Sequence, residues 1–154
     1  MFSKDIYIQR RNRLRSIISS GIVLLPGNSD SSINYPHNAY HFRQDSNFLY
    51  FFGIQQQNII GVLDVDQDRD ILFGDDVDID DIIWMGEKES LKSQAQKVGV
   101  DKVDSYAAIG ECIEKAIKEG RKVHFLPTYR GDTTMLIADL LGVRNAAVFS
   151  YLSV

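Results

Sequence analysis

The feature that most constrains this fold is a run of four aliphatic residues, Ile22 to Leu25, set between Gly21 and Pro26. A short apolar run bounded by Gly and Pro is typical of a buried strand. A buried strand needs other secondary structure packed over its sheet, which requires a layered architecture. We therefore predict a strand over residues 21–26 and expect the rest of the chain to supply the elements that cover it.

The segments around this strand alternate between helix-like and strand-like patterns. Hydrophobic spacing predicts helices over residues 4–20, 88–98, 106–120 and 133–141. Apolar and aromatic runs predict strands over residues 48–53, 58–65, 70–73, 122–126 and 146–152, and the polar residues 27–38 predict a loop. A hairpin thus precedes residue 88, and helices and strands alternate after it. We therefore predict an α/β fold in which a mixed β-sheet is flanked by helices.

The composition excludes several classes of protein. The chain has 154 residues, of which 44% are hydrophobic and 25% charged, as in one ordinary globular domain. Its net charge of -4 offers no general attraction to nucleic acid. The only cysteine, Cys112, excludes a disulfide scaffold and allows a cytoplasmic location. No apolar run approaches the roughly 20 residues of a membrane span, and the segment after Met1 is unlike a signal peptide, so we expect a soluble cytoplasmic protein.

Nine aspartates fall between residues 64 and 81 and raise the question of a calcium site. Asp64, Asp66 and Asp68 alternate as the ligands of an EF-hand loop do. However, Arg69 stands where that loop requires glycine, and Asp75 stands where it requires a bidentate glutamate. We favour a solvated turn of the hairpin over a calcium site.

The remaining candidate ligands and nucleophiles have simple structural interpretations. His37 and His41 are four residues apart, but they lie in and beside the predicted loop, where we favour polar loop residues over a catalytic metal. His124 lies in an apolar strand and is interpreted as a hydrogen-bonded core residue. Cys112 lies on the apolar face of a predicted helix and is interpreted as a buried small hydrophobe. The residues alone indicate no catalytic set and no metal site in this chain.

The segment from Tyr40 to Gly53 stands apart because a polar stretch, residues 43–47, leads directly into an aromatic run. The planar guanidinium of Arg43 can hold either a carboxylate or several loop carbonyls. We interpret Arg43 and Gln44 as residues that satisfy loop backbone where the chain enters the sheet. A ligand-binding role for the pair stays open.

This segment also resembles the hallmark of a known family, the N-terminal domain of Xaa-Pro aminopeptidases (aminopeptidase P) and Xaa-Pro dipeptidases (prolidases). The resemblance rests on the pattern Arg43-Gln44-x-Ser46-x-Phe48-x-Tyr50-x-x-Gly53. It continues in register through residues 61–66, 71–73, 83–86 and 98–101, and covers about residues 1–130. It implies one non-catalytic N-terminal domain over residues 1–154, with the ribonuclease H-like fold of creatinase and aminopeptidase P N-terminal domains.

The resemblance also implies a second domain, which this chain does not contain. In the family, a larger catalytic domain of the pita-bread fold follows and holds two metal ions, usually manganese, with two Asp, one His and two Glu. Such an enzyme hydrolyses the peptide bond before proline by two-metal catalysis. We therefore expect this chain alone to be catalytically incomplete and to bind no cofactor, while the full-length protein is a metalloaminopeptidase.

The expected contribution of this domain is to narrow the active-site entrance and to take part in contacts between identical subunits. In relatives, the tryptophan that matches Trp84 reaches toward a neighbouring active site, where a ring can stack on a proline-containing peptide; an ordinary half-buried aromatic is the alternative. Arg43 and Gln44 are further contact candidates. Some relatives carry an aspartate six residues before the arginine, a place that His37 holds here, with Asn38 next to it.

Other functions stay open within and outside this family. A prolidase, restricted to dipeptides, shares the Arg43-Gln44 motif with the aminopeptidases. Creatinase is a more distant relative. The same fold could also serve as a stand-alone, non-enzymatic binding domain. The expected partners under the leading hypothesis are proline-containing peptides, the C-terminal catalytic domain and a second copy of the chain.

Overall fold

Five strands form one mixed sheet in this computed structural model, which describes residues 2–35, 38–76 and 89–149. The strands are β1 (Ile22–Pro26), β2 (Ile60–Asp64), β3 (Arg69–Phe73), β4 (Lys102–Asp104) and β5 (Val123–Phe125). The helices are α1 (Lys4–Ile17), α2 (Ser46–Phe52), α3 (Leu91–Lys97), α4 (Ile109–Lys118), α5 (Gly131–Leu141) and α6 (Asn145–Val148). A 3₁₀ turn over Tyr106–Ala108 leads into α4. None of the helices in these ranges has the length and apolar character that crossing a membrane requires.

The sheet has the order β4-β3-β2-β1-β5, and only β2 runs against the other four strands. β2 pairs antiparallel with β1 and β3, whereas β5 lies parallel to β1 and β4 lies parallel to β3. The carboxyl ends of β1, β3, β4 and β5 therefore meet at one edge of the sheet, beside the start of β2. We call this the carboxyl edge.

The aliphatic run of β1 is apolar throughout because both faces of the strand are covered. Val23 and Leu25 belong to one core cluster, which α1, α2 and α3 cover. Ile22 and Leu24 point the other way, into a second cluster with side chains of α4, α5 and α6. Alternation of side chains along a strand explains this division. The prediction of a mixed sheet flanked by helices is confirmed.

A fully buried guanidinium ties three elements to α1. Arg11 is 0% exposed, and its Nε donates to Asp70 Oδ2 over 2.7 Å. Nη1 donates to the Phe51 carbonyl over 2.9 Å, and Nη2 donates to the carbonyls of Val98 and Gly99 over 2.8 and 2.9 Å. These carbonyls lie at the carboxyl ends of α2 and α3, where a helix has no backbone donor left to satisfy them. Arg11 therefore anchors both helix ends and β3.

The predicted strand over residues 48–53 is wrong, because this segment forms α2. Asp45 caps the helix by accepting from the backbone N–H groups of Asn47 and Phe48, each over 2.9 Å. Gly53 ends it in the left-handed conformation, with a φ of 66°. Phe48 and Phe52 are both buried, and a Cβ on the underlying glycine of β2, Gly61, would overlap the Phe52 ring. Capping and burial of an i, i+4 aromatic pair thus outweigh the strand preference of aromatic residues.

Two further differences lie at short elements. The predicted strand over residues 146–152 is wrong where the chain is described, since Asn145–Val148 is helical and Val148 packs in the second core cluster. Residues 150–154 lie outside the described residues.

The three residues of β4 have no apolar run that predicts a strand. The matching residues 98–101, which resemble the family's step from a helix to a strand, end directly before β4. The other predicted helices and strands are confirmed within about three residues at the described ends.

We expect Arg11→Ala to lower the free energy of unfolding by about 3–5 kcal/mol, the cost of removing one partner of a buried ion pair. The change leaves three carbonyls without their donor and leaves Asp70 with Arg15 as its remaining ion-pair partner. Urea denaturation followed by circular dichroism measures the loss. Arg13→Ala is the matched control, because Arg13 is exposed on the same helix and its loss should cost within about 0.5 kcal/mol. Equal stability of the two variants would contradict the anchoring role.

Candidate functional site

The carboxyl edge brings three connections together. The loop 27–45 leaves β1, the loop 126–130 leaves β5, and residues 74–76 leave β3. Because β1 and β5 are parallel neighbours, the loops that follow them start side by side. In open α/β sheets, ligands bind at the carboxyl ends of the strands. This edge is therefore the candidate site.

Gln44 holds the inner part of the site together. Its side chain is 2% exposed, and Oε1 accepts from the backbone N–H groups of Asn28 and Asp45 over 2.7 and 2.9 Å. Nε2 donates to the carbonyl of Gln56 over 2.6 Å and to that of Ile54 over 3.4 Å. One amide thus joins the start of the loop 27–45, the start of α2 and the segment before β2. For Gln44, this confirms the prediction from residues 43–47 that its side chain forms hydrogen bonds with the backbone of the loop.

Arg43 differs from its neighbour, because only its backbone takes part in this network. The Arg43 carbonyl accepts from Asn28 Nδ2 over 2.9 Å. Its side chain is exposed, and no carboxylate among the described residues forms an ion pair with it. Arg43 is one of the residues that line the clefts beside the loop. Of the two motif residues, Arg43 is the one whose side chain remains accessible to a ligand.

The other predicted contact residues are not joined to this pair in the described part of the chain. Asn38 bonds within its own loop, donating from Nδ2 to Asn34 Oδ1 over 2.7 Å and from its backbone to the Tyr35 carbonyl over 3.0 Å. His37 and Trp84 lie outside the described residues. Their proposed contacts stay predictions.

Tyr129 is a residue of the site that the sequence pattern did not single out. Its ring is 71% exposed, while its hydroxyl donates to Asp45 Oδ2 over 2.9 Å. The other oxygen of Asp45 caps α2, so this carboxylate links the loop 126–130 to the helix. Partial burial of the hydroxyl, and then its hydrogen bond to Asp45 and the charge of that carboxylate, raise the pKa of Tyr129. The two residues are 84 positions apart, and no local pattern predicts their contact.

The ion pair between Arg130 and Asp132 provides a second connection between the loops 126–130 and 27–45, here called the lock. Arg130 donates from Nε and Nη2 to the two oxygens of Asp132, over 3.0 and 2.6 Å. The hydroxyl of Ser29 and the backbone N–H of Thr133 donate to the same carboxylate, each over 2.9 Å. The Arg130 guanidinium is the main cause that lowers the pKa of Asp132 to about 2. The lock joins α5 to the loop that leaves β1.

Two adjoining clefts lie between these tethers. The larger, of about 370 Å³, is lined by Asn28, Arg43, Gln44, Ser46, Tyr129 and Arg130. The smaller, of about 240 Å³, shares both arginines and adds the exposed His41 together with Asp30 and other residues of the loop 27–45. His41 thus lies at the site, whereas a metal role for it has no support from neighbouring ligands. Among the described residues, no three His, Cys, Asp or Glu side chains are grouped so as to hold a metal ion.

The aspartates of the hairpin turn lie outside this site. The expected turn between β2 and β3 is present, but Asp64 is buried rather than solvated, because Arg121 and Arg69 pair with it. Asp66 accepts from the Gly21 N–H over 2.9 Å and from Arg121 Nε over 2.7 Å, and these bonds, in that order, lower the pKa of Asp66. The turn is thus fixed by arginine, and its carboxylates already have partners.

The other two candidate residues have structural surroundings. His124 Nε2 lies 2.9 Å from the Ser20 carbonyl, so the expected hydrogen bond is present, although this histidine is half-buried on an edge strand and not in the core. Cys112 is half-buried on α4. Burial raises the pKa of the Cys112 thiol, which keeps it in the poorly nucleophilic protonated form at neutral pH.

Residues 7–125 match the family model of the aminopeptidase P N-terminal domain. The chain belongs to this family. A probable Xaa-Pro aminopeptidase of Ajellomyces capsulatus is 28% identical over 116 residues, which are 73% of this chain and 23% of that protein. A Homo sapiens Xaa-Pro dipeptidase is 27% identical over 126 residues, which are 82% of this chain and 24% of that protein. The chain therefore spans about a quarter of the length of these curated relatives.

Solved structures show the same fold. Aminopeptidase P from E. coli, in its low-pH form, superposes with a TM-score of 0.77 at 21% identity, covering 92% of this chain and 33% of that one. Aminopeptidase PepP of Pseudomonas aeruginosa gives a TM-score of 0.77 at 22% identity, covering 97% of this chain and 34% of that one. The mixed sheet with its helices is thus the fold of an aminopeptidase P N-terminal domain.

We expect Gln44→Met to lower the free energy of unfolding by about 1–3 kcal/mol, since it removes every partner that the Gln44 amide gives to buried backbone groups. Methionine keeps nearly the same length and volume, so the loss reports hydrogen bonding and not a cavity. Gln55→Met is the control, because Gln55 is exposed. Chemical denaturation of the two variants measures the difference, and a neutral Gln44 variant would refute the role of the amide.

The ion pair between Arg130 and Asp132 predicts how the stability of the fold changes in acid. The pKa of Asp132 in the folded chain, about 2, lies below its ordinary value of 3.8. Its charge therefore stabilises the fold fully above the ordinary pKa, and this contribution is lost as pH falls through the folded pKa. We expect the deficit of Asp132→Asn in unfolding free energy to be constant from about pH 7 to 5, to shrink below about pH 4 and to be mostly lost at about pH 2.

Denaturation at several pH values measures this deficit. Asp139→Asn removes an exposed carboxylate from the same helix and should leave the acid dependence as it is in the parent chain. A deficit that persists unchanged to pH 2 would show that the charge of Asp132 is not what stabilises the lock.

Proposed function

We propose that this chain is the non-catalytic N-terminal domain of a cytoplasmic, metal-dependent Xaa-Pro aminopeptidase, which removes the N-terminal residue before proline. The observation that carries the proposal is the family match over residues 7–125, in a chain that covers only 23% of a relative named as a probable Xaa-Pro aminopeptidase. The lone cysteine, Cys112, agrees with a reducing compartment.

Catalysis is assigned to a further domain that would hold two manganese or other divalent ions. Such ions activate water and polarise the scissile carbonyl. The described residues of this chain do not fit that metal pair, since they present no group of three or more potential ligands. Under this proposal, the present domain contributes shape and contacts to the enzyme.

The carboxyl edge suits a rim that restricts access to an active site. The amide of Gln44, the Tyr129–Asp45 bond and the Arg130–Asp132 lock tie its loops to α2 and α5. Loops held by several tethers keep their shape, so a rim built from them would admit peptide ends and exclude folded chains. Arg43 is the described residue best placed to touch an entering peptide. Gln44 is buried, so we propose that it acts indirectly, by holding the loop that carries Arg43.

The same edge carries apolar surface that favours contact with another protein surface. Tyr40 and Tyr129 are largely exposed there, and Leu126, directly after β5, is 43% exposed. Exposed apolar residues that cluster at one edge typify interaction surfaces. We propose that the catalytic domain or a second subunit covers them, and that His37, Asn38 and Trp84 contribute to the same contacts.

A prolidase is the second candidate function. The human Xaa-Pro dipeptidase matches 82% of this chain, more than the 73% matched by the fungal aminopeptidase. The two enzymes differ in the length of the peptide they accept. A dipeptide and a tripeptide with proline at the second position therefore distinguish them.

We expect the purified 154-residue chain to leave an Xaa-Pro dipeptide and an Xaa-Pro-Xaa tripeptide intact in the presence of manganese. Calorimetric titration should show no stoichiometric micromolar binding of manganese, because the described residues offer no ligand cluster. Full-length E. coli aminopeptidase P in the same assay is the positive control. Turnover by the chain alone would overturn the proposal.

The polypeptide encoded by the whole reading frame gives the complementary measurement. Manganese-dependent hydrolysis of the tripeptide supports the aminopeptidase, and hydrolysis of the dipeptide alone replaces it with the prolidase. A reading frame that adds no Asp, Asp, His, Glu and Glu ligand set, together with no hydrolysis, would overturn both in favour of a stand-alone binding domain.

A further inference from the structure

We propose that the larger cleft at the carboxyl edge binds an oxyanion, a carboxylate or phosphate group, between Arg43 and Arg130. The inference does not depend on the peptidase activity, because it rests on the charge and hydrogen-bonding state of residues within this chain. The cleft has a volume of about 370 Å³, enough for a small molecule or the end of a peptide.

The lining of this cleft is cationic and rich in donors. Arg43 and Arg130 line it together with Asn28, Gln44, Ser46 and Tyr129. No carboxylate is among the residues that line it. Guanidinium groups present N–H donors in a planar fork, which matches the two oxygens of a carboxylate or phosphate.

Arg43 has donors to offer because it has no internal acid to bind. Its side chain is exposed and makes neither an ion pair nor a side-chain hydrogen bond within residues 2–35, 38–76 and 89–149. Arg130 uses Nε and Nη2 for Asp132, and its Nη1 has no hydrogen-bond partner in those same ranges. Each arginine can therefore donate hydrogen bonds to an external oxyanion without losing a hydrogen bond within the chain.

Two of the acids beside the cleft, Asp45 and Asp132, are already satisfied. Asp45 accepts from the Tyr129 hydroxyl and from the two backbone N–H groups that begin α2. Asp132 accepts from Arg130, from the Ser29 hydroxyl and from one backbone N–H. A carboxylate that already accepts several hydrogen bonds attracts a further cation only weakly. Arg43 therefore stays available to bind a ligand.

The adjoining cleft indicates what the rest of the ligand is like. It shares both arginines and adds the aromatic residues Tyr40 and Phe42, together with His41 and Asp30. The rings offer apolar surface to the body of a ligand, and Asp30 disfavours a second anionic group there. The two clefts together fit a molecule with one oxyanionic end and a neutral or cationic remainder.

Titration of the ¹⁵N-labelled chain, followed by two-dimensional NMR, tests the site. The probes are inorganic phosphate, N-acetylglycine and, as a neutral control, N-acetylglycine amide. We expect saturable shifts at residues 28, 43–46 and 129–130 with one or both anions and none with the amide. Arg43→Gln should weaken binding by about tenfold or more, as the loss of charge-assisted hydrogen bonds implies.

Two controls make the outcome decisive. Arg13→Gln removes an exposed arginine from α1 and should bind as the parent chain does. Saturation by phosphate alone supports a phosphate site, and saturation by N-acetylglycine alone supports a carboxylate site. Absence of saturable shifts with both anions, or equal affinity of the parent chain and Arg43→Gln, would overturn the proposal.

Discussion

One buried cation, Arg11, determines how a whole face of the molecule is assembled. Burial lowers the pKa of its guanidinium, while Asp70 opposes that effect and keeps the charge in place. A guanidinium taken out of water must have its N–H groups satisfied at good geometry. Its partners are Phe51 in α2, Val98 directly after α3 and Asp70 in β3, so one side chain holds these elements against α1. Aliphatic packing covers the opposite face of the sheet, where Ile113 and Ile137 lie in the second core cluster.

This arrangement also positions the candidate site. With α1 to α3 fixed on one face and α4 to α6 on the other, β1 is held between β2 and β5, and its carboxyl end meets that of β5. The loops that follow can then reach each other, and Tyr129 and Asp45 meet although they are far apart in the chain. Arg43 and Arg130 thus line one cleft because the strand order places β1 beside β5.

The sequence could predict those parts of the fold that depend on local pattern. The wholly apolar run of β1, the hairpin and the stripe of α4 each follow from spacing and from Gly or Pro boundaries. α2 was mistaken for a strand because a seven-residue helix depends on its caps, Asp45 and Gly53, more than on periodicity. The site was only partly predictable: the motif indicates Arg43 and Gln44, whereas Tyr129 and Arg130 join them through tertiary contacts that no local pattern encodes.

The amide of Gln44 has a consequence for how this chain can evolve. Among the twenty side chains, only the amides carry both a carbonyl oxygen and an NH₂ group, and asparagine is one methylene shorter. All four groups that Gln44 contacts belong to the backbone, which every residue type shares. A substitution at position 44 therefore leaves some of these four groups without their present partner, so selection for this loop geometry favours glutamine there.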